Sequence, residues 1–143
     1  MINEYAKGFP KAQPRVKAYS RGGKAGVYTP ESKALREWKH AVEEVMARHM
    51  DKKLDGAISV RLEFYMPRPK SHFRTGKFSH ILKDDAPIDH LSKPDLDNMI
   101  KLVLDVMTKS GYWKDDSQVI ELSASKNYND VMDAGCRIIT KVL

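Results

Sequence analysis

Residues 93–109 read KPDLDNMIKLVLDVMTK, and they combine a helical pattern with an unusual grouping of charge. Apolar residues recur at helical spacing from Met99 to Met107, which predicts a helix from about Asp95 to Lys109. Charged residues at four-residue steps line a second face of this helix, and they are Asp97, Lys101, Asp105 and Lys109. Gly111 is typical of the residue that follows a helix C-terminus.

Two acids stand at the entrance of this helix in a chain that is otherwise basic. Carboxylate oxygens are the ligands that magnesium prefers, and the positive end of the helix would stabilise Asp95 and Asp97. A second acidic pair, Asp115-Asp116, follows the helix, and Asp116 would complete a site for one or two divalent ions. Lys101 lies one turn inside the helix, where it would stabilise negative charge developing on a phosphate. The pattern indicates metal-assisted phosphate chemistry.

Each of these acids also has a structural interpretation. Asp95 could cap the helix, and Asp97 with Lys101 could form an exposed i, i+4 pair worth only a few tenths of a kcal/mol. Asp115 and Asp116 could be turn residues. Spacing alone leaves both interpretations open.

Composition restricts the class of protein. The 143 residues predict one domain, residues 1–143, with a net charge of +6 from 25 basic and 19 acidic residues. No apolar run approaches the roughly 18 residues of a membrane span, and we expect no secretory signal. The single cysteine, Cys136, cannot form an internal disulfide, which fits a reducing cytoplasm and predicts a buried apolar role for this side chain.

Positive charge concentrates in two segments. Residues 1–28 form a basic arm, in which Gly8 to Gly26 is expected to be an extended loop because proline and glycine recur there. These residues form either a solvated tail or an arm that follows a phosphate backbone. The basic residues of this arm are Lys7, Lys11, Arg15, Lys17, Arg21 and Lys24, against the single acid Glu4.

The second basic segment, residues 67–94, is a long loop without periodicity. Loops of this length are functional or disordered, and basic residues interleaved with aromatic ones suit contact with phosphates and exposed bases. From the two segments together we select candidate DNA contacts, which are Arg15, Lys17, Arg74 and Lys93.

The remaining patterns predict the fold. Thr29 as N-cap and Pro30 at the first helical position predict a helix that continues to about Met50. Strict alternation from Ile58 to Met66 predicts a strand. Two further strands follow, through Ile120 to Ala124 and from Cys136 to Val142. We therefore expect an α/β (α+β) fold in which two helices pack on a small mixed sheet of about four strands.

These motifs, taken together and in order, resemble the RusA family of Holliday junction resolvases, in particular its phage-type members. The resemblance covers most of the chain and is weakest in the first nine residues, where a fuller strand would be expected. The motifs that carry it are KPDLDN (93–98) with Lys101 and Asp105, YWKDDSQV (112–119), PKAQPR (10–15), VYTP (27–30) and FYMP (64–67).

The resemblance implies a homodimeric endonuclease that cuts four-way DNA junctions by paired nicks during recombination and repair. It implies a divalent metal, Mg²⁺ with Mn²⁺ as a substitute, and a cytoplasmic location in a bacterium or a phage-infected host. Its catalytic residues would be Asp95, Asp97 and Asp116, which hold the metal, and Lys101. Asp115 is a secondary candidate.

Two rival functions remain at this stage. One is a non-catalytic basic module that binds DNA in recombination or repair. The other is a nucleotidyl-transfer enzyme with an Asp-x-Asp metal site, although the chain lacks a glycine-rich phosphate cradle. The sequence also leaves open whether Asp116 completes the site in its own chain, which we favour, or in the partner chain.

Overall fold

The computed structural model describes residues 1–51 and 53–143. In these ranges the elements follow one another as β1 (Ile2–Lys7), β2 (Lys17–Arg21), β3 (Lys24–Tyr28), α1 (Lys33–Ala47), β4 (Ile58–Met66), α2 (Leu96–Lys109), β5 (Val119–Tyr128) and β6 (Gly135–Val142). Four strands form one sheet in the order β1-β6-β4-β5, and β2 pairs with β3 in a separate two-stranded sheet. Two helices on a mixed four-stranded sheet confirm the predicted α+β fold.

The mixed character of the sheet comes from one crossover. β4 and β5 are parallel neighbours, and α2 lies in the connection between them, as parallel neighbours require. β6 runs antiparallel to both β1 and β4. Because of this arrangement, α2 begins near the end at which β4 finishes, and Asp116 lies at the opposite end, directly before β5 begins.

The core lies between the helices and one face of the sheet. Alternate residues of β4 are buried, from Ile58 to Met66, and they join the buried stripes of α1 and α2 in a single apolar cluster. Cys136 belongs to this cluster and is fully buried. Burial raises the pKa of its thiol, which confirms the predicted apolar role.

The first helix begins later than predicted. Ser32, not Thr29, is the N-cap, since its backbone is extended and its hydroxyl accepts a hydrogen bond from the Leu35 N–H at 3.1 Å. Pro30 precedes the helix rather than occupying its first position. Both Thr29 and Ser32 are good capping residues, and the packing of Leu35 and Trp38 selects the later one.

The amino-terminal arm is more regular than predicted. Ile2–Lys7 is a full strand paired with β6 along its length, and residues 17–28 form a hairpin instead of an extended loop. The hairpin closes through Gly22 and Gly23, whose φ angles are +57° and +78°. Two successive positive φ angles are what a tight type I′ turn requires.

The other predicted elements are confirmed with small changes at their ends. α2 begins after Asp95 and ends at Lys109, with Gly111 at a positive φ of +75° beyond it. The segment 67–94 contains only two short 3₁₀ turns, Lys70–His72 and Gly76–Phe78. No helix in the described ranges has the length and apolar character that a membrane crossing requires.

Candidate functional site

The carboxylates at the entrance of α2 are not used by the fold. Asp95 is the N-cap residue by backbone geometry, yet its side chain makes no capping hydrogen bond. Asp97 and Lys101 are both exposed, and they are absent from the ion pairs formed within the described residues, whereas Asp105 pairs with Lys109 at 3.0 Å. The structural interpretation of Asp95 and Asp97 is therefore unsupported, and both carboxylates are available to a ligand.

The entrance of α2 is held by a side chain from β5. The Lys126 ammonium donates hydrogen bonds to the carbonyl oxygens of Ser92 at 2.9 Å and Pro94 at 3.0 Å. Lys126 lies opposite Phe64 in the parallel register, on the face of the sheet that carries the helices. It thereby fixes the backbone on both sides of Lys93, immediately before the two acids.

A shallow cleft beside this entrance contains two of the predicted DNA contacts. It is lined by Arg15, Lys93 and Asp95 together with Lys11, Ala12, Pro94 and Asn98. The amino-terminal arm lies against α2 here, since the Gln13 N–H donates to the Asn98 carbonyl at 2.9 Å. Positive side chains therefore border the Asp95 carboxylate, which forms no ion pair within the described residues.

A second cleft lies further along the same helix. It is lined by Gln13, Lys101, Leu104, Asp105 and Asp116. The Gln13 Oε1 atom is buried and has no hydrogen-bond partner in the described structure. Gln13 was not selected from the sequence, and the only signal for it was its position inside the PKAQPR motif. An unsatisfied buried acceptor beside two carboxylates fits a bound cation or its water.

The turn before β5 assigns different roles to the two neighbouring acids. Asp115 caps the 3₁₀ turn Asp116–Gln118, because its carboxylate accepts from the Ser117 N–H at 3.2 Å. Gln118 completes this capping box by accepting from the N–H groups of Lys114 and Asp115 at 2.8 and 3.1 Å. It also donates to the Gly56 carbonyl at 3.0 Å. Asp115 therefore shapes the turn that presents Asp116 to the second cleft.

Charge repulsion is concentrated at Asp116. A hydrogen bond with the Asp115 carboxyl, burial, and the negative charges of Asp115 and Asp105 raise the pKa of Asp116. The Ser117 N–H and the contact with Asp116 lower the pKa of Asp115. When two carboxylates share a site, the pKa of one of them is raised because both cannot easily be charged together, and a divalent cation would remove this repulsion. The carboxylates of Asp105 and Asp116 and the Gln13 amide offer oxygen ligands in this cleft, and oxygen ligands suit Mg²⁺.

In the described structure the predicted catalytic residues do not form one closed cluster. The structure brings Asp116 together with Lys101, and it brings Asp95 together with Arg15 and Lys93. In residues 1–51 and 53–143, no three His, Cys, Asp or Glu side chains are grouped closely enough to hold a metal ion. The other two candidate DNA contacts lie elsewhere: Lys17 is on β2, and Arg74 pairs with Asp84 at 3.3 Å.

Comparison with known proteins places this arrangement in a family. The sequence model of the family described as "Endodeoxyribonuclease RusA" matches residues 7–139. "Uncharacterized protein YqaN" of Bacillus subtilis (strain 168) is 33% identical over 125 residues, covering 86% of this chain and 84% of the relative. "Crossover junction endodeoxyribonuclease rusA" of Lactococcus phage r1t is 54% identical over 35 residues, or 24% of this chain and 27% of the relative.

The family match covers nearly all of the chain, including both clefts and the turn that carries Asp116. The resemblance drawn from the sequence motifs is thereby confirmed. The chain belongs to the RusA family of endodeoxyribonucleases.

Proposed function

We propose that this protein is a divalent-metal-dependent endonuclease that resolves four-way DNA junctions as a homodimer. The observation that carries the proposal is the pair of unpaired carboxylates, Asp95 and Asp97, at the entrance of α2 in a chain of the RusA family. Arg15 and Lys93 border the same cleft as Asp95. A folded protein has no structural reason to hold these charges together, whereas a phosphodiester and a metal ion supply one.

Asp95, Asp97 and Asp116 would hold the ion, which is Mg²⁺ or, as a substitute, Mn²⁺. When bound, such an ion activates water and stabilises the charge of the scissile phosphate. The fit rests on an all-oxygen donor set, on the repulsion at Asp116 and on the unsatisfied Gln13 Oε1 atom.

The other residues of the site act on the DNA. Lys101 is exposed and shares a cleft with Asp116, so that its ammonium can contact the phosphate as negative charge develops. Arg15 and Lys93 hold the adjacent backbone through charge-assisted hydrogen bonds. Asp115 stays on the capping box and keeps Asp116 in position.

The dimer follows from the substrate and has a candidate surface. A four-way junction has approximate twofold symmetry, and a C2 dimer presents two identical sites to it. In the described structure β5 pairs only with β4, and its residues Ile120 and Leu122 are 66% and 47% exposed. An exposed apolar edge strand is suited to pairing with a second copy of itself. Resolving junctions also assigns the protein to the cytoplasm of a bacterium or a phage-infected cell.

The decisive test compares wild-type protein with Asp97→Asn on a synthetic four-way junction in Mg²⁺, with linear duplex as the substrate control. We expect wild-type protein to nick the junction, in Mg²⁺ or Mn²⁺ but not in EDTA. The variant should lose at least about 100-fold in rate, since a lost metal ligand removes several kcal/mol of charge stabilisation. Binding should persist or tighten, because a negative charge beside phosphate is gone.

Glu37→Gln is the matched control for this experiment. It removes one carboxylate from an exposed i, i+4 pair with Lys33 on α1, and it should cleave like wild-type protein. A wild-type protein that binds junctions without metal-dependent nicking would instead establish the binding-module alternative. The observation that favours this alternative is the lack of a preassembled three-acid cluster in the described residues.

A mixed-dimer experiment decides which chain supplies Asp116. We propose that the same chain does, since Asp116 shares a cleft with its own Lys101. Dimers mixed from Asp97→Asn and Asp116→Asn chains should then be inactive, because each site keeps one substitution. If the partner supplies Asp116, the mixed dimer contains one intact site and regains nicking of one strand, which would contradict the proposal.

A further inference from the structure

The hairpin formed by β2 and β3, which we call the β-ribbon (residues 17–28), has two unlike faces. Residues directly opposite in an antiparallel pair point to the same side, so the register assigns each side chain to a face. One face carries only small or neutral side chains, which are Ala18, Ser20, Ala25 and Val27. The other carries cations and aromatic rings around one glycine, and it consists of Lys17, Tyr19, Arg21, Lys24, Gly26 and Tyr28.

The core does not require this face. Every residue of the β-ribbon is exposed except the half-buried Gly26, and within the described ranges the β-ribbon pairs with no other strand. Tyr19 is 48% exposed and Tyr28 is 50% exposed. No acidic residue occurs between Glu4 and Glu31 to neutralise the cations. These side chains therefore present positive charge and aromatic surface to a partner.

Gly26 shapes the aromatic surface. A Cβ atom at this position would lie 2.6 Å from the Tyr19 ring, so the missing side chain lets that ring lie across the opposite strand. The Tyr28 ring follows at a centroid distance of 6.2 Å and an interplanar angle of 59°. The two rings form an exposed platform, with Lys17 beside them and Arg21 and Lys24 at the tip.

We propose that this face of the β-ribbon binds unpaired nucleotides of the DNA. Bases stack on Tyr19 and Tyr28, while Lys17, Arg21 and Lys24 contact the adjoining phosphates. Cations alone would suffice for a duplex backbone, but exposed rings gain from partners whose base faces are free. In a duplex those faces are already stacked. The location of these nucleotides at a junction branch point rests on the proposed function.

The first test measures binding to a short single-stranded oligonucleotide and to a blunt duplex of equal length, by fluorescence anisotropy without divalent metal. Tyr19→Leu and Tyr28→Leu should each weaken single-strand binding by about tenfold, the usual contribution of one stacked base. Their duplex binding should not change. Val27→Thr, on the neutral face, is the matched control and should bind both like wild-type protein.

Salt dependence separates the cations from the rings. Lys17→Gln and Arg21→Gln should each reduce the salt slope of single-strand binding, because one phosphate contact releases about one counterion. The tyrosine variants should keep the wild-type slope. All variants should keep the wild-type circular dichroism spectrum and melting temperature, since the substituted residues are exposed.

Photocrosslinking tests stacking directly. A single-stranded oligonucleotide that contains 5-iododeoxyuridine should crosslink to Tyr19 or Tyr28, as located by peptide mass spectrometry. Crosslinks elsewhere, or equal losses of single-strand and duplex affinity in the tyrosine variants, would overturn the proposal. Equal losses would indicate instead that the β-ribbon enters the major groove of a duplex, which is wide enough to admit it.

The two proposals can fail separately. Junction cleavage by wild-type protein in Mg²⁺ reports on the proposed function, whereas metal-free binding and crosslinking report on the β-ribbon. A protein that cleaves junctions, but whose tyrosine variants bind single strands normally, refutes the β-ribbon proposal alone. A protein that crosslinks through Tyr19 or Tyr28 without nicking any junction refutes the endonuclease proposal and keeps single-strand binding.

Discussion

The β-ribbon and residues 67–94, which we call the anchored segment, are both basic and lack helical periodicity, but the fold treats them differently. The β-ribbon is a regular hairpin whose side chains face solvent. The anchored segment has almost no regular structure, yet several of its side chains are buried against β5 and the turn that follows it. Regular hydrogen bonding and attachment to the core are thus independent properties of a segment.

The anchored segment is held chiefly by one arginine. The Arg68 side chain is only 5% exposed, and it donates to both Asp130 oxygens, at 2.6 and 3.0 Å, and to the Pro87 carbonyl at 2.6 Å. Its guanidinium lies 4.1 Å from the centre of the Tyr128 ring. The hydrogen-bonded pair raises the pKa of Arg68 and lowers that of Asp130. From composition alone Arg68 would count as a candidate DNA contact, but its guanidinium is bound to groups within the protein.

Two histidines complete this attachment. The ring centroids of His72 and His90 lie 5.4 and 5.0 Å from that of Tyr128. His90 is buried. It precedes Ser92 and Pro94 in the chain, whose carbonyl oxygens accept hydrogen bonds from Lys126. The anchored segment is therefore tied to β5 beside the entrance of α2, whereas the side chains of the β-ribbon are exposed.

The largest expected effect comes from breaking the link between the anchored segment and β5 at Lys126. Lys126→Met leaves two carbonyls without their donor and lets the backbone before Asp95 shift. Displacements of about 1 Å cost up to roughly 100-fold in rate, so we expect junction cleavage at saturating DNA to fall 10- to 100-fold with little change in DNA affinity. Lys126→Arg, which keeps a donor, should recover part of the rate. Full activity of the methionine variant would show that the entrance is held by other contacts.

The next effect concerns stability and uses two arginines of the anchored segment. Arg68→Met should lower the free energy of unfolding by about 2 kcal/mol, because it removes charge-assisted hydrogen bonds from a largely buried group. Arg74→Met is the control, since it breaks an exposed pair with Asp84 that is worth about 0–1 kcal/mol. Urea denaturation measures both. Equal losses would mean that Arg68 is no more important than a surface residue.

The smallest effect is a pH dependence. Burial, followed by the charges of Lys126 and His72, lowers the pKa of His90 below its ordinary value of 6.5. The unfolded chain then binds a proton more readily than the folded one, so stability falls as the pH drops through about 6.5 and levels off below the folded-state pKa. The slope cannot exceed about 1.4 kcal/mol per pH unit for one proton.

His90→Gln should flatten this dependence of the melting temperature between roughly pH 7.5 and 5.5. His40→Gln serves as the control, because His40 is 72% exposed in its side chain and should leave the profile unchanged. An unaltered slope in the His90 variant would assign the pH dependence to another group.

The sequence predicted the elements whose signals lie in consecutive residues. The stripe of α2, the alternation of β4 and the glycine beyond the helix are local patterns, and each one is confirmed. The prediction that Asp95 and Asp97 are site residues also rests on a local pattern, since both lie at the start of a clear helix. Thr29 and Ser32 are both suitable N-cap residues for α1, and the sequence pattern did not distinguish them. The structure shows that Ser32 caps the helix.

Contacts between distant parts of the chain could not be read in this way. Arg68 and Asp130 are 62 positions apart, and the residues around each of them do not predict that the two form a pair. The same holds for Lys126 with Pro94 and for Gln13 with the Asp116 cleft. That Asp115 caps the turn while Asp116 lines the second cleft also required the three-dimensional arrangement of Gln118 and Gly56.

The sequence by itself therefore determined the helices, most of the strands and the family, and it supplied the acidic candidates for the site. Periodicity and capping act within a few residues, so they are visible in order along the chain. Only the tertiary structure decided which basic side chains are buried in the fold and which remain free for DNA. Whether a basic side chain is buried depends on the cost of its desolvation and on the partners that the folded sheet brings next to it. Neither of these can be read from the charge of the residue.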